Sequence, residues 1–492
     1  MRVLQVSAEI HPLVKTGGLA DVAAALPRAL ADAGVDVRLL LPGFPAVRDG
    51  VAGLRGCAEF TAPWGAAVRV LLGHCHGHAT YVIDAPTLYD RPGNPYLNAD
   101  GVAYADNHRR FALLGQVAAA LTHGLDASWR AQVVHAHDWH AALAPALLHV
   151  ARRRRAHAAA PASVFTVHNL AYQGVFPLAA FHDLGLPASA FGIDGVEFHG
   201  QVSFMKAGLQ FADRLTTVSP TYAREIQRAE QGCGLDGVLR QRRDVLSGIL
   251  NGVDSAVWNP AHDAALERTY DARHLSRRAE NKAALQRHFG LEPDPDALLF
   301  GVVSRFTEQK GLDLVIAGLP ELLARGGQLV VLGSGDAELE AGFRAAAQAH
   351  PRAVAAMIGF DEALSHRVFA GTDVTLVPSR FEPCGLTQLY GLAYGSLPLV
   401  HRVGGLADTV VDAALENLAD GSATGFVFDG FDAAAYGAAL RRAFALRARR
   451  ADWRRVQRTA MQQVFDWRIA ASHYVDLYRS LLTHQPIHHA AA

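Results

Sequence analysis

The chain has 492 residues, which suffices for two large α/β domains or three of average size and excludes a single small binding module. With 50% hydrophobic and 19% charged residues, it can bury sizeable cores, so disorder of the whole chain is excluded. The 46 lysines and arginines nearly balance 47 acidic residues, and the net charge of −1 offers no overall field for nucleic acid or an anionic membrane.

The cysteines and the N-terminal segment indicate the compartment. Four cysteines without a C-x-x-C spacing do not form a disulfide framework in so long a chain. The first residues are typical of a strand rather than of a cleavable leader, and the uncharged stretches are interrupted by polar residues and do not resemble membrane spans. We therefore expect a protein of the reducing cytoplasm.

Runs of Val, Leu and Ile alternate with Ala- and Leu-rich helical patterns along nearly the whole chain, which is typical of parallel sheets built from βαβ units. The predicted strands cover residues 2–7, 35–41, 133–136, 163–167 and 214–218, and a second series covers 245–250, 298–303, 328–332, 354–358, 373–377 and 397–400. The segment from residue 251 to residue 295 is interrupted by Gly, Asn, Asp and Pro residues, and we therefore place a hinge near Gly252.

This organisation predicts two doubly wound Rossmann-like domains, residues 1–245 and 251–460. The last 42 residues, from Ala451, have a helical pattern, and we assign residues 461–485 to a C-terminal helix that packs back on the first domain. A run of four arginines, residues 152–155, ends a predicted helix, where it complements the negative end of the helix dipole.

One short sequence occurs twice: GGLAD at residues 17–21 recurs at residues 404–408, each time between an apolar strand and a helix. If the carboxyl ends of two parallel sheets face one cleft, both Gly-Gly turns lie beside the same ligand. Lys15 precedes the first copy, and a cation beside glycines and a helix N-terminus suits a phosphate. The alternative is a tight turn with a solvated lysine.

Two further strand ends carry histidines. The segment HAHDWH, residues 135–140, contains Asp138, and its spacing does not match the i, i+4 pattern of helical zinc ligands. His168 ends the next strand, where it either contacts a ligand or is a buried, hydrogen-bonded histidine.

In the second half, two strand-to-helix loops carry charged groups. Arg305 and Lys310 share one loop, and such a pair of cations suits a diphosphate. Glu382 lies in the other and can accept hydrogen bonds from sugar hydroxyls, while the backbone N–H groups of Leu386 and Thr387 at a helix start can hold a phosphate. A lone Cys384 without an activating histidine is more typical of a packed residue than of a nucleophile.

Five motifs together resemble the bacterial glycogen synthase family, which is related to plant starch synthases: KTGGLAD at 15–21, HDWH at 137–140, FTVHNLAYQG at 165–174, NGVD at 251–254 and SRFEPCGL at 379–386. The resemblance implies the GT-B architecture, with two Rossmann-like domains facing a central cleft. It implies a retaining glycosyltransferase that moves glucose from ADP-glucose to the non-reducing end of an α-1,4-glucan such as glycogen. It also implies that no metal or other cofactor is needed.

The resemblance assigns roles to individual residues. Catalytic positions carried over by motif are Lys15, Asp138, His168, Arg305, Lys310 and Glu382. Substrate-binding positions are Gly17, Gly18, Asp21, Tyr96, Asn169, Asn251, Phe360, Cys384, Gly385, Leu386 and Thr387. Two positions depart from the family pattern. Phe360 stands where members often carry a tyrosine against the adenine, and Tyr390 stands where related retaining transferases often carry a second glutamate, so no second carboxylate is assigned.

Other functions are compatible with parts of this pattern. Another nucleotide-sugar transferase is one alternative, and a phosphorylase-like relative is a second, although the chain has no identifiable motif for a pyridoxal phosphate lysine. A non-catalytic glucan-binding or nucleotide-sensing protein is a third. The joint presence of Lys15, His168, Arg305, Lys310 and Glu382 argues against this last form.

Overall fold

The structure is a computed structural model that describes residues 1–154 and 161–483. The chain forms two compact units. The first comprises residues 1–251 together with the segment that begins at Trp467, and the second comprises residues 252–466. Each unit is an α/β structure built on its own sheet.

The elements of the first unit alternate along the chain. Its strands are β1 (Arg2–Val6), β2 (Asp36–Pro42), β3 (Ala52–Thr61), β4 (Ala67–Cys75), β5 (His78–Asp84), β6 (Val133–His137), β7 (Ala162–Val167), β8 (Val175–Phe176), β9 (Glu197–Phe198), β10 (Gln201–Ser203), β11 (Arg214–Thr217) and β12 (Leu246–Gly248). Its helices before the hinge are α1 (Gly18–Asp32), α2 (Pro45–Gly50), α3 (Pro86–Tyr89), α4 (Asn107–Thr122), α5 (Asp138–Ala141), α6 (Leu143–Arg154), α7 (Phe204–Phe211), α8 (Pro220–Glu225) and α9 (Asp236–Gln241).

The main sheet of this unit has, among the described residues, nine strands in the order β12-β11-β7-β6-β1-β2-β5-β4-β3. All pairs from β12 to β5 are parallel, whereas β4 and β3 add an antiparallel edge. The strand order proceeds outward in both directions from β1 and β6. The carboxyl ends of these two strands therefore lie at the topological switch point, where open α/β sheets bind ligands.

The second unit repeats this construction with a smaller sheet. Its strands are β13 (Leu299–Val303), β14 (Gln328–Gly333), β15 (Val354–Ile358), β16 (Val374–Val377), β17 (Leu397–His401) and β18 (Phe426–Phe428). Its helices are α10 (Arg278–His288), α11 (Leu312–Ala324), α12 (Ala337–Ala349), α13 (Glu362–Gly371), α14 (Thr387–Tyr394), α15 (Gly404–Thr409), α16 (Leu415–Asp420), α17 (Ala433–Ala448) and α18 (Arg450–Met461). Within the described chain the sheet order is β15-β14-β13-β16-β17-β18, all parallel, so the switch point lies between β13 and β16.

The last helix, α19 (Trp467–Thr483), belongs to the first unit and packs against α1. It buries Trp467, Tyr474 and Tyr478 in the core of that unit. The Tyr478 hydroxyl lies 2.7 Å from Nδ1 of His135 on β6, which joins α19 to the centre of the sheet.

The structure differs from the predicted boundaries in two places. Residues 245–250 were assigned to the second series of strands, but β12 pairs with β11 and extends the first sheet. The helical pattern from Ala451 onward is interrupted, because residues 462–466 separate α18 from α19 and the N–H of Val253 donates to the carbonyl of Phe465 at 2.7 Å. α18 packs in the second unit and α19 in the first, so one continuous helix cannot serve both cores.

Some predicted features lie at the edge of the described residues or beyond it. Of the arginine run, Arg152 forms a bidentate pair with Asp213, whereas Arg155 lies outside the described residues. Residues 484 and 485 of the predicted C-terminal helix also lie outside them. None of the helices that the structure describes has the length and apolar character needed to cross a membrane.

Candidate functional site

The loop after β1 is held by a buried carboxylate that the sequence analysis does not assign. Glu9 is 3% exposed, and it accepts a hydrogen bond from the backbone N–H of Thr16 at 2.7 Å and others from the hydroxyls of Thr16 and Tyr96. These bonds fix the loop that carries Lys15. Its position just beyond the carboxyl end of the central strand is the signal by which Glu9 could have been found.

The first Gly-Gly turn is open. Gly17 has an extended backbone, no described side chain caps the start of α1, and a Cβ atom on Gly17 would meet no described atom within 4 Å. The N–H groups of the first helical turn are thus accessible to an anion. Lys15 and Asp21, both predicted site residues, form an ion pair of 2.7 Å beside this turn, and Gly18 is the first residue of the helix.

Asp138, at the carboxyl end of β6, combines backbone strain with burial. Its φ of 60° lies in the left-handed region, which a residue other than glycine rarely adopts. Its side chain is buried, and Oδ1 has no hydrogen-bond partner among the described residues. Burial raises the pKa of this carboxyl to about 8, although the backbone N–H groups of Asn169 and His168 act in the opposite direction. A buried carboxyl with one unpaired oxygen at a switch point is typical of a ligand-binding position.

His168 is hydrogen-bonded to a second histidine. Its Nε2 lies 3.1 Å from Nδ1 of His137, so one of the two rings donates to the other. Burial lowers the pKa of His168 to about 3 and lowers that of His137 well below its usual range, so both rings are neutral at pH 7. His168 is partly exposed, so solvent reduces the lowering of its pKa.

The remaining histidines of this segment pack inside the unit. His135 contacts the Tyr478 hydroxyl through Nδ1 and the Thr166 hydroxyl, at 2.6 Å, through Nε2. His140 stacks on Tyr96 with ring centroids 4.8 Å apart. No group of three or more His, Cys, Asp or Glu side chains in residues 1–154 and 161–483 is arranged to hold a metal ion.

In the second unit, an ion pair spans the switch point. Lys310, from the loop after β13, donates to Glu382, from the loop after β16, at 2.6 Å. The Ser379 hydroxyl donates to the same carboxylate oxygen at 2.9 Å, and Glu382 is 6% exposed. Parallel pairing of β13 with β16 thus brings together two groups separated by 72 residues. Arg305, from the same loop as Lys310, is exposed.

The turn after Glu382 leads into α14. Gly385 has φ 73°, and Gln388 donates to the carbonyls of Cys384 and Gly385 at 3.0 and 2.9 Å. Leu386 caps α14 without a side-chain hydrogen bond from the described residues, and Thr387 is its first residue, so the N–H groups of this helix start are accessible. Cys384 is buried, which agrees with a packed residue.

The second GGLAD copy serves a different purpose from the first. Gly404 has φ 44°, and a Cβ atom there would lie 2.0 Å from the carbonyl oxygen of Glu382. A Cβ atom on Gly405 would lie 2.1 Å from the carbonyl oxygen of Cys384, and the Gly405 N–H donates to the backbone carbonyl of Glu382 at 3.0 Å. These glycines let α15 support the Glu382 turn from behind, whereas the first copy leaves its turn open.

Three other predicted positions are accounted for separately. Phe360 is 75% exposed in the loop before α13. Asn251 is buried and is the last residue of the first unit before the hinge. Tyr390 stacks on Trp258 at 3.7 Å, and Trp258 stacks in turn on His366 at 3.9 Å. The position that could have held a second carboxylate thus belongs to an aromatic stack.

Comparison with known proteins identifies the class. Residues 2–241 match the family model described as starch synthase catalytic domain, and residues 286–459 match that of glycosyl transferases group 1. Together with the two α/β units, these matches define a glycosyltransferase with two Rossmann-like domains of the GT-B type. The predicted fold class and enzyme class are confirmed.

The similarity to individual proteins extends over nearly the whole chain. Glycogen synthase from Variovorax paradoxus is 63% identical, with 98% of this chain and 99% of that protein covered, and glycogen synthase from Francisella philomiragia is 55% identical with 98% and 100% covered. The catalytic domain of starch synthase IV from Arabidopsis thaliana, solved with ADP and acarbose, has a TM-score of 0.88 at 31% identity, with 98% and 99% covered. The chain belongs to the glycogen synthase family, as predicted.

We expect Gly404→Ala to destabilise the protein by about 1–3 kcal/mol, since a Cβ atom strains the left-handed backbone and displaces the Glu382 carbonyl. Chemical denaturation monitored by circular dichroism measures this loss. Gly237→Ala, in exposed α9 with no described atom within 4 Å of the new Cβ, is the matched control and should not destabilise. Equal stability of the two variants would contradict the packing described for Gly404.

We expect the stability of the first unit to fall as the pH drops below about 6.5. Burial lowers the pKa of His135 and His140 to about 3, so the unfolded chain binds more protons than the folded one between these values. Each histidine then contributes a loss of at most about 1.4 kcal/mol per pH unit. Asp138 acts in the opposite sense, because its raised pKa makes the folded state bind the extra proton.

Denaturation of the wild type and of His135→Gln at about pH 7.5 and pH 5 isolates this histidine from Asp138. The variant keeps a polar group near Tyr478 and Thr166 but cannot titrate, so its free energy of unfolding should change less with pH. A pH dependence identical to that of the wild type would show that His135 is not neutral and buried.

Proposed function

We propose that this protein transfers glucose from ADP-glucose to the 4-hydroxyl at the non-reducing end of an α-1,4-glucan such as glycogen, with retention of configuration. Its family uses a nucleotide-sugar donor and a glucan acceptor. The observation that carries the proposal is the Lys310–Glu382 pair at the switch point of the second unit, because it supplies a cation for a diphosphate and a carboxylate for a sugar side by side. The reaction belongs to the cytoplasm, as the cysteine usage indicates.

The donor diphosphate is met by protein groups. The ammonium of Lys310 has three N–H donors, so it can keep its bond to Glu382 while it donates to a phosphate oxygen. Exposed Arg305 in the same loop and the uncapped N–H groups of Leu386 and Thr387 add further donors. Phe360 offers an exposed ring face for the adenine. These groups can balance the diphosphate charge without a divalent cation.

The first unit contributes groups for the sugar and the leaving group. The unpaired Oδ1 of Asp138 and the neutral ring of His168 can hydrogen-bond to glucose hydroxyls. Lys15 and the N–H groups beside Gly17 and Gly18 can bind negative charge, with Asp21 holding the ammonium in place until the donor arrives. Tyr96, fixed by Glu9 and stacked on His140, together with Asn169 and Asn251, completes the proposed contacts.

The proposed chemistry needs no protein nucleophile. The bond between the anomeric carbon and the diphosphate oxygen breaks, and the acceptor oxygen bonds to that carbon on the same face. The acceptor proton passes to the departing diphosphate, so atoms and charge balance. Tyr390 occupies the place of a second carboxylate and is engaged in the stack with Trp258, which supports a front-face route over a covalent one. Lys15, Arg305 and Lys310 stabilise the growing charge on the diphosphate.

The decisive assay incubates the purified protein with glycogen and either ADP-glucose or UDP-glucose and measures the released nucleotide. We expect release of ADP, an α-1,4-linked product by NMR, and unchanged turnover in EDTA, since the diphosphate clamp consists of protein groups. Loss of turnover in EDTA that magnesium restores would contradict the clamp. A β-linked product would contradict the mechanism, and turnover with UDP-glucose alone would contradict the donor.

We expect Lys310→Ala and Glu382→Ala each to lower kcat by about 10²–10³, because each removes a preorganised group that acts on developing charge or on the sugar. Arg344→Ala is the control: this arginine lies on α12, pairs with Glu340 at 2.9 Å and is largely exposed. It should leave kcat unchanged. Steady-state kinetics with circular dichroism spectra of all three variants provides the measurement, and full activity of both site variants would refute the assignment.

A further inference from the structure

A separate cavity of about 340 Å³ lies within the second unit, and we name it the arginine cavity. It is lined by three arginines, one carboxylate and an apolar wall. The residues used below are Arg325, Arg447, Arg450, Asp296, Leu298 and Phe444. They come from the segment before β13, from the ends of α11 and α17 and, for Arg450, from the first residue of α18.

The arginine cavity is distinct from the candidate site of this unit. Leu298 immediately precedes β13, whereas Arg305 and Lys310 follow it. The two sites therefore lie at opposite ends of the strand, about 16 Å apart for five residues at about 3.3 Å each. No group of the proposed transfer reaction lines the cavity.

The three arginines differ in how far their charge is satisfied. Arg450 pairs with Asp296 at 2.5 Å, and Arg325 pairs with Glu321 at 3.3 Å. Arg447 donates to the carbonyl of Pro295 at a long 3.5 Å, and its Nε is buried with no hydrogen-bond partner in the part of the chain that the structure describes. A buried cationic donor without an acceptor is costly, which marks a place where an acceptor can bind.

The charge balance around the arginine cavity favours an anion. The three lining guanidinium groups and Arg441, which shares Glu321 with Arg325, are opposed by two carboxylates, Asp296 and Glu321. The carboxyl ends of α11 and α17 each add about half a negative charge, and helix-end charge of this kind is one reason for arginines at such positions. After both contributions, an excess of about one positive charge remains. The position of Arg325 is explained by its place at the carboxyl end of α11. The same explanation does not account for Arg447, whose Nε has no hydrogen-bond partner among the described residues.

The wall of the cavity is held in place from within the unit. Lys282, buried beneath it, donates to the carbonyls of Pro295 and Ala297 and pairs with Asp373 at 2.7 Å. Asp373 also accepts the N–H of Leu299 at 3.0 Å. The segment that carries Asp296 is thereby tied to the start of β13, so the cavity is formed before a ligand arrives.

We propose that the arginine cavity binds a small molecule through a phosphate group. The phosphate oxygens accept hydrogen bonds from Nε and the terminal nitrogens of Arg447 and from Arg325, a planar fork that suits phosphate geometry. The remaining volume, walled by Leu298 and Phe444, admits an organic group of the size of a hexose. This inference does not depend on the proposed transfer reaction.

The test is calorimetric titration of the full-length protein with inorganic phosphate, in saturating ADP so that the donor site is filled. We expect saturable binding to the wild type, at least tenfold weaker binding to Arg447→Gln, and weaker binding to Arg325→Gln. Arg344→Gln, which removes an exposed arginine of the same unit, should bind phosphate as the wild type does. Transfer activity of each variant verifies that it is folded.

A second titration with a hexose monophosphate identifies the form of the ligand. Tighter binding than that of inorganic phosphate shows that the organic group enters the cavity, and equal affinity shows that the ion itself is bound. Absence of saturable binding of both ligands up to about 10 mM would overturn the proposal. Undiminished binding to folded Arg447→Gln and Arg325→Gln would overturn it as well.

Discussion

Parallel pairing of strands that are distant in sequence determines where chemistry can occur in this protein. In each unit the sheet grows outward from two central strands, so the loops after those strands meet at one edge without another strand between them. In the second unit this constraint brings Lys310 to Glu382, and in the first it places the Glu9 loop and Asp138 after adjacent strands. The strand order determines where these loops meet, whereas the loop sequences determine which side chains lie there.

Burial sets the electrostatic character of the first unit. β6 is buried along its whole length although two of its five residues are histidines, and burial favours the neutral form of both rings. His135 has hydrogen-bond partners at both nitrogens, whereas His137 contacts His168 through Nδ1 and its buried Nε2 has no partner among the described residues. Asp138 follows directly, and burial raises the pKa of its carboxyl to about 8 for the same reason. Buried carboxylates are balanced by cations in both units, as in Arg38–Asp126 of the first unit and Lys310–Glu382 and Lys282–Asp373 of the second.

The sequence predicts the features that depend on local pattern. Strand ends at Lys15, His168, Arg305 and Glu382 are marked by apolar runs followed by polar residues, and the family resemblance adds roles for them. Contacts between distant segments have no such signal. The hydrogen bonds from Ser379 to Glu382 and from Thr16 to Glu9 depend on how the loops fold. The break between α18 and α19 was not predicted, because both segments consist of residues with high helix propensity. What separates the two helices is their packing in different cores.

The return of α19 to the first unit means that the polypeptide passes between the units twice, at residues 251–252 and 466–467. A single proteolytic nick at either passage would leave the two units covalently joined through the other. The first unit is not a continuous fragment, since residues 1–251 are completed by the segment that begins at Trp467. An isolated first unit would need α19 fused to it or supplied as a peptide, whereas residues 252–466 form a contiguous segment that can be expressed directly.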